Sequence, residues 1–328
     1  MRLLMSVLVA LTAATTAGAM TSARGAVLEA HPPVVVPRAN GFFDYMLVDA
    51  ERRRLIVSHT GSQSVAFIDV ASGKLQRQLY IGTTHGIAID AHDERYYIGT
   101  SGATHIIAVV DRRTLRLVAT ISMPVPIDAL TFDDRRGMLY ADEDNGDTIW
   151  VIAARTNQVV ARIRTPQDSD KADYDHATDR FYQNFTTINA MLVIDPQSHA
   201  TLARWSTLPA RKPHGLAVDS KAGIVYAAGV NGALVALDIH TGRRVATAAI
   251  TKNVDQIALD TRRRRLYCAS GDGQLSVVDV RTPHIALIAT IAVPRGAHTV
   301  ALDPQTGAVW LSYGTEHDDY VMRLTPSP

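Results

Sequence analysis

Seven aspartates, Asp49, Asp90, Asp133, Asp175, Asp219, Asp260 and Asp303, recur along the chain at separations of 41, 43, 42, 44, 41 and 43 residues. A period held this closely demands a stack or ring of equivalent units, each too small to bury a core alone. Each aspartate closes a short apolar run, as in THGIAID (84–90), PHGLAVD (213–219) and AHTVALD (297–303). A polar turn and a second β-rich run follow: RLIVSH, RYYIGT, MLYADE, RFYQNF, IVYAAG, RLYCAS and AVWLSY. A turn containing Gly or Asn then precedes a third run such as SVAFIDV or ALVALDI, and a fourth such as LRLVATI completes the unit. Four short antiparallel strands per repeat describe a propeller blade, and no 3.6-residue pattern supports a helical solenoid.

The expected fold is therefore all-β: a seven-bladed β-propeller of four-stranded antiparallel blades spanning Val34 to Leu324. The last copy stops before its fourth strand. The run Val34–Val36 is expected to supply it, pairing the N- and C-terminal strands and removing the open edges that a linear array would leave.

The first 19 residues read as a secretory signal: Met1 and Arg2, the apolar run LLMSVLVALTA, then small residues ending in AGAM. Residues 20–33 form an N-terminal extension and 325–328 a short tail. The expected location is periplasmic or secreted, without a transmembrane segment and as a monomer. A lone cysteine excludes an internal disulfide, and Cys268 within RLYCAS reads as a buried, inert thiol. The chain must then be held by its apolar core, which 47% hydrophobic residues permit.

Aligning the copies exposes a candidate site. Five residues before each anchor stand Asp44, His85, Asp128, Asp170, His214, Asp255 and His298, so each blade offers a carboxylate or an imidazole. The first strand of a blade runs beside the central channel, and this column is expected to ring its mouth. Carboxylates beside imidazoles orient them for metal binding or proton transfer, and crowded carboxylates attract a cation. The candidate ligands for a divalent metal are His85, His214 and His298; no cofactor is certain. The plainer reading is that the aspartates and histidines cap the turn into the strand. The fourth copy is irregular, and Asp168 or Asp173 could take the place of Asp170.

Other features carry less. DEDNGD (142–147) has oxygen ligands spaced somewhat as in a calcium loop but occupies a hairpin position, where an Asn-Gly turn is expected. His59, Glu143 and His317 are candidates for the same mouth or for exposed loops. No Ser-His-Asp triad or phosphate-cradling glycine motif is discernible. The net charge is only +1, but Arg52, Arg53, Arg54, Arg112, Arg113, Arg135, Arg136, Arg243, Arg244 and Arg262 to Arg265 fall in turns on the face opposite the ring. That basic face suggests contact with an anionic surface or DNA, or simply solvated turns.

The run PHGLAVD...IVYAAGVNGALVALDIHTGRRVAT, with FFDYMLVD, THGIAID and NVDQIALD in the other copies, resembles the YVTN-repeat β-propellers, the YncE-like proteins of the bacterial envelope. The resemblance covers the chain beyond the signal, although no second strand reads YVTN and Arg-rich turns replace the usual Pro-Asp-Gly hairpin. It implies a propeller that binds a small ligand or an envelope protein. The alternatives are a metal-dependent, lactonase-like hydrolase or lyase using the same ring, and anionic-surface or DNA binding through the opposite face.

Overall fold

The computed structural model describes residues 27–37, 41–281 and 284–327; the expected signal lies outside them. Its strands form seven antiparallel sheets arranged as a ring of blades. The first six blades are contiguous in sequence, from Met46–Tyr80 through Thr83–Ser122, Ile127–Arg164, Ser169–Ser206, Pro213–Ala249 and Val254–Ala292. The seventh joins both ends of the chain. Val300–Leu302, Val309–Gly314 and Asp319–Pro326 supply three strands, and Val34–Val36 pairs with Asp319–Val321 as expected. Pairing also extends one step earlier, with Leu28–Ala30 against Leu324–Pro326. No helix among the described residues is long and apolar enough to cross a membrane.

The repeat aspartates have a common structural task. A carboxylate oxygen of each accepts a backbone N-H of the turn that follows: Arg52 on Asp49, Asp93 on Asp90, Arg136 on Asp133, Thr178 on Asp175, Ala222 on Asp219, Arg263 on Asp260 and Gln305 on Asp303, at 2.8–3.1 Å. An aspartate is short enough to close this turn, which explains its strict recurrence. The core lies between the blades, because each sheet is apolar on both faces. A buried aromatic fills the same place on the second strand in six blades, as Tyr97, Tyr140, Tyr182, Tyr226, Tyr267 and Trp310, none more than 1% exposed. Cys268 is fully buried beside them, and burial pushes its thiol pKa far up, so it is inert as expected.

The arginines are mostly engaged within the fold. Arg112 binds Asp49, Glu51 and Glu94; Arg136 binds Asp133 and Asp179; Arg264 reaches Asp219; Arg52 reaches Glu94. Many of these contacts join one blade to the next. The turn face is thus studded with arginines whose charge is largely met by neighbouring carboxylates.

Candidate functional site

The first strands of the second to sixth blades share an irregularity at their channel-mouth ends. Their ladders shift register between Thr84 and Ile87, Ile127 and Leu130, Ser169 and Ala172, Pro213 and Gly215, and Val254 and Ile257. Each bulge contains the ring residue of that blade. A bulge frees a residue from the alternation of the strand and re-aims its side chain, here toward the channel. Glycine follows the histidine in two copies for a related reason: a Cβ at Gly86 would lie 2.3 Å from the Asp128 carbonyl oxygen, and one at Gly215 would lie 2.7 Å from Ile257. The missing side chain lets the next blade approach.

Asp44, His85, Asp128, Asp170, Asp255 and His298 line one cavity of about 240 Å³ at the channel mouth, together with Phe42, Tyr45, Asp144, Lys171 and Gln256. His214 adjoins it through its neighbours. Its Nδ1 stands 2.5 Å from Asp170 Oδ2 and 3.5 Å from Asp255 Oδ1. His85 repeats this arrangement, with Nδ1 2.5 Å from Asp44 Oδ2 and 3.8 Å from Asp128 Oδ1. His298 is 3.8 Å from Asp255 Oδ2, donates from Nδ1 to the Gly296 carbonyl oxygen, and lies 5.6 Å from the exposed ring of Phe42. Asp170, rather than Asp168 or Asp173, is the fourth-blade residue that meets a ring histidine.

The three imidazoles are not gathered around one point. Among the described residues, the group whose donor atoms lie within 4.8 Å of one another is Asp44, His85 and Asp128, without His214 or His298. One imidazole and two carboxylates are suitable donors for a divalent ion. Both nitrogens of His85 are already engaged, however, because Nε2 lies 2.7 Å from Ser101 Oγ. An ion would have to displace one of these partners. The Asp44, His85 and Ser101 contact is also a Ser-His-Asp arrangement that the sequence did not disclose.

Lys171 is the principal residue that the column of ring positions missed. It sits one residue inside the ring, its ammonium 4.8 Å from the centre of the Tyr45 ring. Lys171 and Gln256 line both the mouth and a wider cavity of about 550 Å³ further along the channel, where Asp173 and apolar first-strand residues form the wall. Together with Tyr45 they form a layer that separates the two spaces. The clue in the sequence was a lysine beside the ring position in the least regular copy.

Charge crowding shapes protonation here. Burial, followed by the charges of Asp44 and Asp170, raises the Asp128 pKa well above the carboxylate range. Burial and then Asp170 push Asp255 up to about 7, against the opposing pull of His298. Burial disfavours a charged His214, but the hydrogen bond to Asp170 and the fields of Asp170 and Asp255 outweigh it and carry its pKa up to about 9. Burial lowers the pKa of Lys171 despite the carboxylates around it.

The remaining candidates fall elsewhere. His59 is wholly buried, 2.6 Å from Asp319 Oδ2 and stacked on Phe43, so it ties the first blade to the seventh. In DEDNGD, Asp144 lines the mouth, Asp142 is buried against Gln183, and Asp147 pairs with Arg164 at the surface. These oxygens diverge around a hairpin turn in which Asn145 adopts φ 55°. His317 lies in an exposed loop of the seventh blade.

No protein-family model and no curated protein matches the chain. Among solved structures, it superposes on a chain of the "Crystal Structure of Mitotic Checkpoint Complex" with a TM-score of 0.78 at 13% identity, covering 100% of this chain and 99% of that one. The "Crystal structure of RRP9 WD40 repeats" gives a TM-score of 0.77 at 10% identity, covering 91% of this chain and 100% of that one. At these identities the likeness is one of fold, the seven-bladed β-propeller.

Proposed function

We propose that the chain is an exported, YncE-like binding propeller of the YVTN-repeat type whose channel mouth takes a small ligand bearing a cationic group. One observation carries this reading. Five carboxylates, Asp44, Asp128, Asp144, Asp170 and Asp255, line a single cavity of about 240 Å³ in which the protein's own Lys171 ammonium rests over the face of Tyr45. An ammonium over an aromatic ring within a ring of acids is the environment that organic cations seek. The exposed Phe42 at the rim offers a second aromatic face. The cavity suits a compact ligand rather than a polymer. Engagement of the arginines in blade-to-blade pairs weighs against DNA or an anionic surface as the main partner.

The test is calorimetric titration of the purified chain with putrescine, and separately with zinc and manganese. Putrescine binding that weakens in Asp144→Asn and Asp170→Asn supports the reading. Metal binding without diamine binding assigns the mouth to a divalent ion instead, and absence of heat with every probe rejects a cation site. Export is checked by fractionating cells that express the full chain.

A further inference from the structure

Asp44, His85 and Ser101 are linked in a chain of hydrogen bonds with a definite polarity. Asp44 Oδ2 lies 2.5 Å from His85 Nδ1, and His85 Nε2 lies 2.7 Å from Ser101 Oγ. A proton on Nδ1 is held by the carboxylate, which leaves Nε2 as the acceptor facing the hydroxyl. Asp128 Oδ1 stands 3.8 Å from the same Nδ1, a second carboxyl group beside the imidazolium that would form. The histidine backbone is fixed as well, because the Ser58 hydroxyl donates to the His85 carbonyl. Ser101 ends the strand Arg95–Ser101, is partly exposed, and is followed by the exposed residues Gly102, Ala103 and Thr104. Gly102 adopts φ 91°, and among the described residues its N-H has no acceptor within the chain. A free amide next to a nucleophile is a donor for a developing oxyanion.

A purely structural role accounts poorly for the hydroxyl. The fifth and seventh blades also carry a ring histidine, and strand register places Val230 and Gly314 where the second blade has Ser101. His214 and His298 thus keep their places in the ring without a hydroxyl there. Among the three histidine-bearing blades the second alone has a hydroxyl there; Thr60 and Thr186 take the same place in the first and fourth blades, whose ring residue is an aspartate, and each donates to a backbone carbonyl instead.

We infer that Ser101, His85 and Asp44 form a hydrolytic triad at the rim of the mouth, acting on small carboxylic esters and thioesters, with preference for those that carry a cationic group. The preference rests on the cation reading above; the triad does not. Ser101 Oγ attacks the acyl carbon as its proton passes to His85 Nε2. The bond from the acyl carbon to the leaving oxygen or sulfur breaks, and the leaving group takes that proton. Water, deprotonated by the same Nε2, then attacks the acyl-serine and releases the acid with Ser101 restored. Ester and water give acid and alcohol, or thioester and water give acid and thiol, and no other reactant is required.

The experiment has two arms. In the first, the purified wild-type chain is treated with a fluorophosphonate, and the modified peptide is located by mass spectrometry. Modification of Ser101 is expected; a folded protein left unmodified there overturns the triad. In the second, hydrolysis of acetylthiocholine is compared with that of its uncharged isostere S-(3,3-dimethylbutyl) thioacetate in the wild type, Ser101→Ala and Asp44→Asn. Ser101→Ala should reduce turnover to background, and Asp44→Asn should lower kcat with little change in KM. The cationic thioester should be favoured by about tenfold in kcat/KM, equivalent to one exposed charge pair. Turnover that survives Ser101→Ala overturns the triad. Turnover that depends on Ser101 but treats both thioesters alike supports the triad and removes the cation preference. The labelling arm needs no variant, so it decides the question even if Ser101→Ala fails to fold.

Discussion

Arg112 of the second blade sets its Nε 2.6 Å from Oδ2 of Asp49 in the first, and both side chains are only 2% exposed. The Tyr96 hydroxyl donates to the same carboxylate oxygen, and Arg112 also reaches Asp49 Oδ1 through a second nitrogen. A bidentate pair in this setting does two jobs: it closes the turn that ends the first strand and it locks two blades together. Deleting one partner leaves the other buried without its bidentate counter-charge.

Arg112→Ala is therefore expected to lower unfolding free energy by about 3–5 kcal/mol, the range for breaking a buried ion pair. Arg113→Ala, one residue away and without a paired carboxylate among the described residues, should stay within about 0.5 kcal/mol. Denaturant unfolding of both variants measures the contrast. Equal effects would show that the blade-to-blade pair does not hold the ring.

Stability should fall as pH rises from mildly acid to alkaline. His214 has its folded pKa raised to about 9, so its contribution is complete below its unfolded value of about 6.5 and is lost as pH climbs through about 9. Asp255 and Asp128 are raised carboxylates, bound to protons more tightly when folded, so their ionisation also subtracts stability as pH increases. At the acid end the order reverses, because Asp49, Asp179 and Asp279 have lowered values and lose stabilising charge on protonation. The denaturant midpoint should thus be higher at about pH 5.5 than at about pH 9.5, and His214→Gln should narrow the gap. A midpoint that rises toward alkaline pH contradicts the assignment. An NMR titration of the His214 ring checks the value directly.

Lys171→Met removes the ammonium that lines the mouth while keeping most of the side chain's bulk. With that competing charge gone, cations should bind the mouth about tenfold more tightly, as expected for loss of a charge at a few ångströms. Lys171→Arg should show no such gain. Titration calorimetry with putrescine reads both, with circular dichroism as the control for folding. Weaker binding in Lys171→Met would mean that the lysine assists the ligand rather than occupying its place.

Two neighbouring valines test the closure. Val36 is 1% exposed within the cluster formed by Phe43, Trp310 and Val321, whereas Val35 is 49% exposed on the outer face of the same strand. Val36→Asp should cost more than about 3 kcal/mol or prevent folding, because it buries a carboxylate with no partner. Val35→Asp should change stability by less than about 0.5 kcal/mol. Similar effects at the two positions would argue against the register Val34 to Val321, Val35 to Tyr320 and Val36 to Asp319.

The fold was readable because its repeat is enforced at the level of single hydrogen bonds. Asp49 and its six counterparts each close a turn, and few other side chains do so, which keeps the period visible where the rest of the blade varies. The ring was readable for a related reason: the residue within each bulge faces the channel, so a column in the alignment becomes a circle in space. What did not show was which members of the circle touch. His85 and His214 each meet aspartates of adjacent blades, while His298 leans on Phe42, and those choices depend on side-chain direction rather than spacing. Lys171 escaped because its column reads Tyr45, Gly86, Ala129, Lys171, Gly215, Gln256 and Thr299, with no shared chemistry. Ser101 escaped because it joins His85 across a strand pair, and a hydroxyl at that place is peculiar to one of the three histidine-bearing blades. The arginine-rich face hides its pairing in the same way. Sequence shows a cation but not the carboxylate from the next blade that meets it.

The pairing of Leu28–Ala30 and Val34–Val36 with Asp319–Pro326 sets an order of events for synthesis. A ribosome makes the partner of the outermost strand last, so the first strands must wait, unpaired, while six blades form behind them. Local hairpins within each blade can form early, but the ring closes only through contacts that span nearly the whole chain, the slowest kind to find. During that interval the edge of the last blade is open to any extended peptide in reach. Folding yield should consequently depend on how quickly the two ends meet, and a short peptide copying residues 28–36 should delay that meeting by occupying the edge first.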